Sequence, residues 1–162
     1  NNSNPEVVNS LLQAGADVKA RNKQGQSSLM LAASRNPNPE VVTVLLRAGA
    51  EVNARTEPGF TPLMYAAMEC ANPEVITVLL KAGADIHSRS VSGWTPLMVA
   101  AGRSSNPEVL SVLIKAGADL TARCQKGKTA PDYARANEKF KGTTAYQEIK
   151  EAYDRQVKEK AK

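Results

Sequence analysis

Few residues in this chain have the chemistry for catalysis or metal binding. His87 is its only histidine, and its two cysteines are Cys70 and Cys124. An activated nucleophile needs a base beside it, and no Ser–His–Asp or Cys–His grouping can be built around this one imidazole. One imidazole and two scattered thiols also fall short of a metal site. The glycines occur singly, so there is no phosphate-binding loop. The sequence therefore predicts no enzyme, no cofactor and no metal.

The carboxylates recur at a fixed interval of 34 residues, as in Glu6, Glu40, Glu74 and Glu108. Groups that repeat in this way are typical of solvated or structural positions, because a catalytic pair would interrupt the period. The same interval separates the Ala-Gly-Ala triplets, which begin at Ala14, Ala48, Ala82 and Ala116. A period of this length indicates a solenoid of stacked repeats.

One repeat is predicted to contain two short helices and a loop. Thr61 is suited to cap the first helix, with Pro62 in the first turn, where its missing N–H costs nothing. The second helix opens at Asn72 in the same way, and Gly83 lies just beyond its end, where a left-handed residue terminates a helix. The polar residues 85–93 predict a hairpin-like connection to the next repeat. Neither helix buries its apolar face alone, so successive copies must stack.

These motifs resemble the ankyrin repeat. The pattern Gly-x-Thr-Pro-Leu-Met-x-Ala-Ala, followed by Glu-Val-x-x-x-Leu-Leu-x-Ala-Gly-Ala, runs through nearly the whole chain. The resemblance implies an all-α ankyrin-type solenoid of helix-loop-helix repeats, joined by β-hairpin-like loops and closed by a C-terminal capping helix. We expect one domain over residues 1–162, divided into a half-repeat with its hairpin at 1–25, full repeats at 26–59, 60–93 and 94–127, and a capping repeat with its helix at 128–162.

One departure from the family pattern and one recurring loop residue bear on the structure. Where the family has a histidine after Thr-Pro-Leu, this chain has a methionine, which must pack as an apolar residue: Met30, Met64 and Met98. An arginine also repeats in each loop, at Arg21, Arg55, Arg89 and Arg123. We expect these arginines to be structural, each reaching a neighbouring carboxylate or carbonyl. A basic ladder that binds a ligand is the alternative.

The C-terminal segment is expected to cap the solenoid. Thr144 and Gln147 are predicted to form a capping box at the start of the last helix. Four residues should line the inner face of this helix: Tyr146, Ile149, Tyr153 and Val157. Its outer face is expected to carry i,i+4 ion pairs between Lys150 and Asp154 and between Glu151 and Arg155. Residues 158–162 are expected to fray.

Function in a repeat protein is expected at positions that vary while the frame repeats. In the ankyrin family, positions that match the residue before Thr-Pro, the residue five places later and the loop after the alanines face a concave groove and hairpin surface. The predicted partner-binding residues are Gln26, Leu31, Arg35, Phe60, Tyr65, Met68, Glu69, Trp94, Val99, Arg103 and Lys128. The alternative is that the aromatic residues among them pack between repeats and hold the stack together.

Trp94 is the expected centre of this surface, flanked by Phe60 and Tyr65. The equivalent position holds Gln26 and Lys128 in other repeats, and burial of an unpaired ammonium is very costly. Trp94 should therefore be partly exposed. Its replacement by alanine is expected to cost about 1 kcal/mol or less of folding stability.

The predicted function is binding of another protein by a monomer. A regulatory segment of a larger multidomain protein is one alternative. Binding of nucleic acid or an acidic partner at the basic C-terminal end is less favoured. Residues 1–120 carry 10 Lys/Arg against 10 Asp/Glu, whereas residues 121–162 carry 11 against 6. No apolar run approaches the ~20 residues that span a bilayer, so no membrane partner is expected. Because the two cysteines occupy different repeat positions, we expect no disulfide and a cytoplasmic location.

Overall fold

The computed structural model describes residues 4–69 and 72–161. Within these ranges the secondary structure is helical, without a strand. The helices are α1 (Pro5–Gln13), α2 (Ser28–Arg35), α3 (Pro39–Arg47), α4 (Pro62–Glu69), α5 (Glu74–Lys81), α6 (Pro96–Arg103), α7 (Pro107–Lys115), α8 (Ala130–Ala136) and α9 (Thr144–Lys160). The predicted all-α fold class is confirmed for the described residues.

The second helix of each repeat begins and ends through the same local interactions. In α3 the Asn38 side chain accepts a hydrogen bond from the backbone N–H of Glu40 at 3.0 Å. Asn72 does the same for Glu74, although α5 itself begins one residue later than expected, after Pro73. Beyond α5, Gly83 has φ +89°, so its predicted left-handed conformation is confirmed. These caps satisfy backbone groups that short helices would otherwise leave unpaired.

A hydroxyl residue caps the first helix of each central repeat. The side chains of Ser27, Thr61 and Thr95 each accept a hydrogen bond of 3.3 Å from the backbone N–H of the methionine three residues later. Those methionines are 0% exposed, which confirms that they pack as apolar residues: Met30, Met64 and Met98.

The helices stack in two layers, which bury the apolar faces that no single repeat could cover. The first helices α2, α4, α6 and α8 pack on one another in order. The second helices α1, α3, α5, α7 and α9 form the other layer. The core between the layers is almost entirely aliphatic, and Phe140, next to α9, is its largest fully buried side chain. This stacking holds the loops that precede each first helix along one side of the molecule.

The connections between repeats are turns with hairpin-like hydrogen bonds. The backbone N–H of Thr56 donates to the carbonyl of Phe60 at 3.0 Å, and that of Ser90 to Trp94 at 2.9 Å. In the described residues only one isolated antiparallel bridge forms, between Arg21 and Ser27. The predicted hairpin is therefore present as a tight turn, too short to be a strand pair.

Helix α9 caps the last repeat, but several expected details are wrong. Its N-cap is Thr143, whose side chain accepts from the Tyr146 N–H, so the capping box at Thr144 and Gln147 does not form. A capping box lies instead at Thr129 and Asp132, at the start of α8. Among the described residues, neither predicted i,i+4 pair on the outer face of α9 is an ion pair.

The inner face of α9 is also narrower than expected. Ile149 is fully buried, but Val157 is 41% exposed, at a point where α9 has passed the end of α7 and lies beside the loop that follows it. Lys160 does not fray as expected, since its ammonium contacts the Asp119 carboxylate at 3.0 Å and the Thr121 hydroxyl at 2.6 Å. The Gln156 side chain also holds the C-terminal end of α9, because it accepts a hydrogen bond from the Leu120 N–H at 2.9 Å.

In the described part of the chain, no helix is both long and apolar enough to cross a membrane.

Candidate binding surface

Side chains from neighbouring repeats meet along the side of the first helices. The side-chain amide of Gln26, just before α2, donates to the Tyr65 hydroxyl of α4 at 3.0 Å. Phe60 meets the same Tyr65 edge to face, with ring centroids 6.0 Å apart. Each contact joins a residue that comes shortly before a first helix, Gln26 or Phe60, to Tyr65, which lies five places after Phe60 in the chain. We call the half-buried or exposed residues in this series the groove row: Gln26, Phe60, Tyr65, Trp94, Lys128 and Tyr133.

Trp94 is half-buried, in line with the expected partial exposure, but its neighbours differ from those expected. Its ring packs on Tyr133 of the next repeat, with centroids 4.3 Å apart, rather than on Phe60 or Tyr65. The guanidinium carbon of Arg103 lies 5.5 Å from the centre of the Trp94 ring. Trp94 thus ties two repeats together and still reaches solvent, which combines the two alternatives left open by the sequence.

Gly102 lies against this ring pair, where a methyl group would make ordinary contacts but a longer side chain would not fit. A Cβ built on Gly102 would lie 3.4 Å from two carbons of the Trp94 six-membered ring and 3.5 Å from Tyr133 Cδ1. The equivalent positions in the two preceding repeats hold Ser34 and Met68. The longer methionine side chain would occupy the space that the indole fills in the third full repeat. The position of the Trp94 ring therefore depends on a small residue at position 102.

A hydrogen bond between Cys124 and the Tyr133 hydroxyl holds the Tyr133 ring in place. The Cys124 sulfur lies 3.2 Å from the Tyr133 hydroxyl. Burial and this hydrogen bond raise the pKa of Tyr133 to about 12. Burial also raises the pKa of Cys124, but hydrogen bonds from Tyr133 and from the loop backbone outweigh it, so the net shift is downward. Both shifts favour a phenol that donates to the sulfur and holds the ring in place.

The charged residues of the surface either form an ion pair or lie beside an aromatic ring. Arg35 and Glu69 are exposed and form an ion pair of 3.7 Å. Arg103 is exposed and contacts the Met68 sulfur at 3.5 Å in addition to the Trp94 ring. Lys128 is exposed, with its ammonium 5.9 Å from the centre of the Tyr133 ring. Arg103 and Lys128 are thus held near aromatic rings.

Two predicted site residues lie elsewhere. Val99 is 0% exposed, so the expectation that it contacts a partner is wrong. A valine is too short to reach past its neighbours from a register position where tyrosine does. Leu31 lines an apolar pocket of 310 Å³ between α1, α2 and α3, together with Leu12 and Leu45. It therefore lies at the N-terminal end of the solenoid, beside α1.

Tyr133 is the residue that the list of predicted binding residues missed. It occupies the same register position as Tyr65, five residues after Lys128, so the repeat period itself carried the signal.

The recurring loop arginines link consecutive repeats through the backbone. The Arg21 guanidinium donates to the carbonyl of Arg55 at 2.8 Å. Arg55 donates in turn to the carbonyl of Arg89, and Arg89 to that of Arg123. Arg123 turns back to the carbonyl of Gly127 at 2.7 Å. The expectation that each arginine reaches a neighbouring carbonyl is confirmed, and these donors are engaged within the solenoid.

The described residues bring no metal-binding group together. No cluster of three or more His, Cys, Asp or Glu side chains forms among residues 4–69 and 72–161. His87 is exposed, and Cys124 is a buried free thiol. Cys70 lies outside the described residues.

The comparison with protein families agrees with this geometry. Residues 1–90 and 71–142 match the family model for ankyrin repeats, described as three copies. The matches together cover more than half of the chain, so the chain belongs to the ankyrin-repeat family. Ankyrin repeats are generally protein-interaction modules and are typically not enzymes. No curated protein matches this chain.

Proposed function

We propose that this chain binds another protein through the concave and hairpin surface that carries the groove row. The observation that supports the proposal is the run of half-buried aromatic residues across consecutive repeats: Phe60, Tyr65, Trp94 and Tyr133. Tyrosine and tryptophan are favoured anchors at protein interfaces, because they bury a large area at little cost in side-chain entropy.

The packing of these residues supports a preformed surface. Tyr65 is held by Gln26 and Phe60, and Trp94 by Tyr133 and Arg103. A partner would meet side chains whose rotamers are already restricted. Preorganisation of this kind lowers the entropy cost of association. The same residues thus stabilise the stack and present their remaining surface to a ligand.

We further propose that the chain works as one domain, with the repeat boundaries given above, as a monomer without a cofactor. The pairing of helices into two continuous layers supports a single domain. A cytoplasmic location is proposed as well, and the free thiol of Cys124 supports a reducing compartment.

Affinity capture with paired variants tests the proposed binding surface. The double variant Trp94→Ala/Tyr65→Ala removes two anchors from the groove row. The control is Leu80→Ala, which removes apolar contacts from the partly buried side of α5, in the other helix layer. Circular dichroism at the assay temperature confirms that both variants are folded before capture.

The proposal predicts that proteins captured by the wild type are retained by the control and lost from the double variant. An aromatic anchor of an interface contributes about 2 kcal/mol or more, enough to remove a partner from a capture experiment. If the folded double variant retains every protein captured by the wild type, the binding surface lies elsewhere on the molecule.

A further inference from the structure

The two ends of the groove row differ in charge. Towards the N-terminal end, the exposed Arg35 is neutralised by Glu69 at 3.7 Å. Towards the C-terminal end, Arg103 and Lys128 have no ion-pair partner among the described residues. The nearby Asp132 does not neutralise them, since its carboxylate pairs with Arg135 at 3.5 Å and accepts from Thr129. The surface therefore has a neutral half and a cationic half.

The two cations flank one aromatic pair. Arg103 lies 5.5 Å from the centre of the Trp94 ring, and Lys128 lies 5.9 Å from the centre of the Tyr133 ring. The rings themselves are 4.3 Å apart between centroids. We call these four residues the cationic step: Trp94, Arg103, Lys128 and Tyr133. The rings restrict the cations to one region, which reduces the entropy that a ligand must remove on binding.

We infer that the cationic step binds an acidic segment of the partner protein, an inference that rests on the proposed function. Carboxylates of this segment pair with Arg103 and Lys128, and an apolar side chain between them contacts the exposed edges of Trp94 and Tyr133. The charge complementarity determines which partner segment is accepted at this end. The excess of Lys/Arg in residues 121–162 attracts the same segment from a distance.

The arrangement of the rings favours a peptide over a nucleic acid. Bases stack on open aromatic faces that lie beside a cationic groove. Here Trp94 and Tyr133 pack on each other with an angle of 41° between the ring planes, and one face of each ring is approached by a cation. Their remaining surface suits an aliphatic side chain better than a base.

Phage-display selection from a random library of linear peptides tests the inference. It requires no assumption about the sequence of the bound peptide. The wild type is used as bait beside Arg103→Gln/Lys128→Gln. The matched control is Lys81→Gln/Lys115→Gln, which removes the same charge from exposed lysines in the last turns of α5 and α7. Selected peptides are then synthesised, and their affinities are measured by fluorescence anisotropy.

The inference predicts that the wild type and the control select peptides enriched in aspartate and glutamate. Loss of both cations should weaken a selected peptide about tenfold, while the control stays within about twofold of the wild type. Raised salt should abolish most of the difference, since exposed charges are screened.

Three outcomes would overturn the inference. If selected peptides lose affinity on Trp94→Ala/Tyr65→Ala but show no acidic enrichment, the proposed function stands and the acidic specificity does not. If no selected peptide responds to that double variant, the proposed function fails as well. If single-stranded DNA binds more tightly than any selected peptide and depends on Arg103 and Lys128, the cationic step is a nucleic-acid site instead.

Discussion

The contact between Trp94 and Tyr133 should be measurable as a coupling energy between two repeats. Trp94→Ala removes an aromatic pair worth about 0.5–1.5 kcal/mol and a cation–π contact of about 0.5–1 kcal/mol. The ring also covers Gly102, so some apolar area is lost too. We therefore expect a total cost of about 2–3 kcal/mol, higher than the value of about 1 kcal/mol expected for a surface substitution.

A double-mutant cycle isolates the part of this cost that belongs to the ring pair. Chemical denaturation of the wild type, Trp94→Ala, Tyr133→Ala and the double variant gives the coupling free energy. We expect about 0.5–1.5 kcal/mol, because the rings are in direct contact. Fluorescence of the single tryptophan cannot follow every variant, so circular dichroism is the common probe.

Tyr133→Phe is the matched control for this cycle. It removes the hydroxyl that meets Cys124 but retains the ring that meets Trp94. Its coupling with Trp94→Ala should therefore be much smaller than that of Tyr133→Ala. The reasoning is refuted if Trp94→Ala and Tyr133→Ala are additive within about 0.3 kcal/mol, since the rings would then stabilise the stack independently.

Three further predictions concern single features of the fold. Gly83→Val should cost about 1–2 kcal/mol, because φ is +89° although the space around the Cβ is open. Urea denaturation measures this cost, and Gly102→Ala, a helical position in ordinary contact, is a control that should lose none. Deletion of residues 143–162 should lower the Tm and cause association in size-exclusion chromatography, because it uncovers α7 and α8. An unchanged Tm in a monomeric product would show that α9 is dispensable. Phenolate absorbance should show one tyrosine titrating near pH 12, lost in Tyr133→Phe. Since the folded pKa is raised from 10.0, Tyr133 stabilises the fold below pH 10 and this contribution disappears as the pH rises through 12. Titration of Tyr133 at its ordinary pKa of 10.0 would contradict the contact with Cys124.

The repeat period made most of the fold predictable. Caps such as Thr61 and the left-handed Gly83 depend on local chemistry that recurs in every copy, so one repeat predicts the others. The loop arginines could be interpreted in the same way, because a side chain that recurs with the backbone can bond to the next copy of that backbone.

The errors concentrate where the period ends or a side chain changes size. The start of α9 depends on the hydrogen bond from the Tyr146 backbone N–H to the Thr143 side chain. This segment has no equivalent in the other repeats, so the repeat pattern could not predict it. Val99 occupies the register position of Tyr65, but its burial follows from side-chain length, which the pattern alone does not weigh. The partner of Trp94 depends on Gly102, whose role is visible only when the next repeat is in place.

Chemical-shift mapping tests the central claim, that the groove row is the binding surface, most directly. The isotope-labelled chain is titrated with the protein that affinity capture identifies, and amide shifts are followed by two-dimensional NMR. We predict that the largest shifts fall at Phe60, Tyr65, Trp94 and Lys128 and in the loops before α4 and α6. Shifts confined to the second-helix layer, in α3, α5 and α7, would contradict the claim.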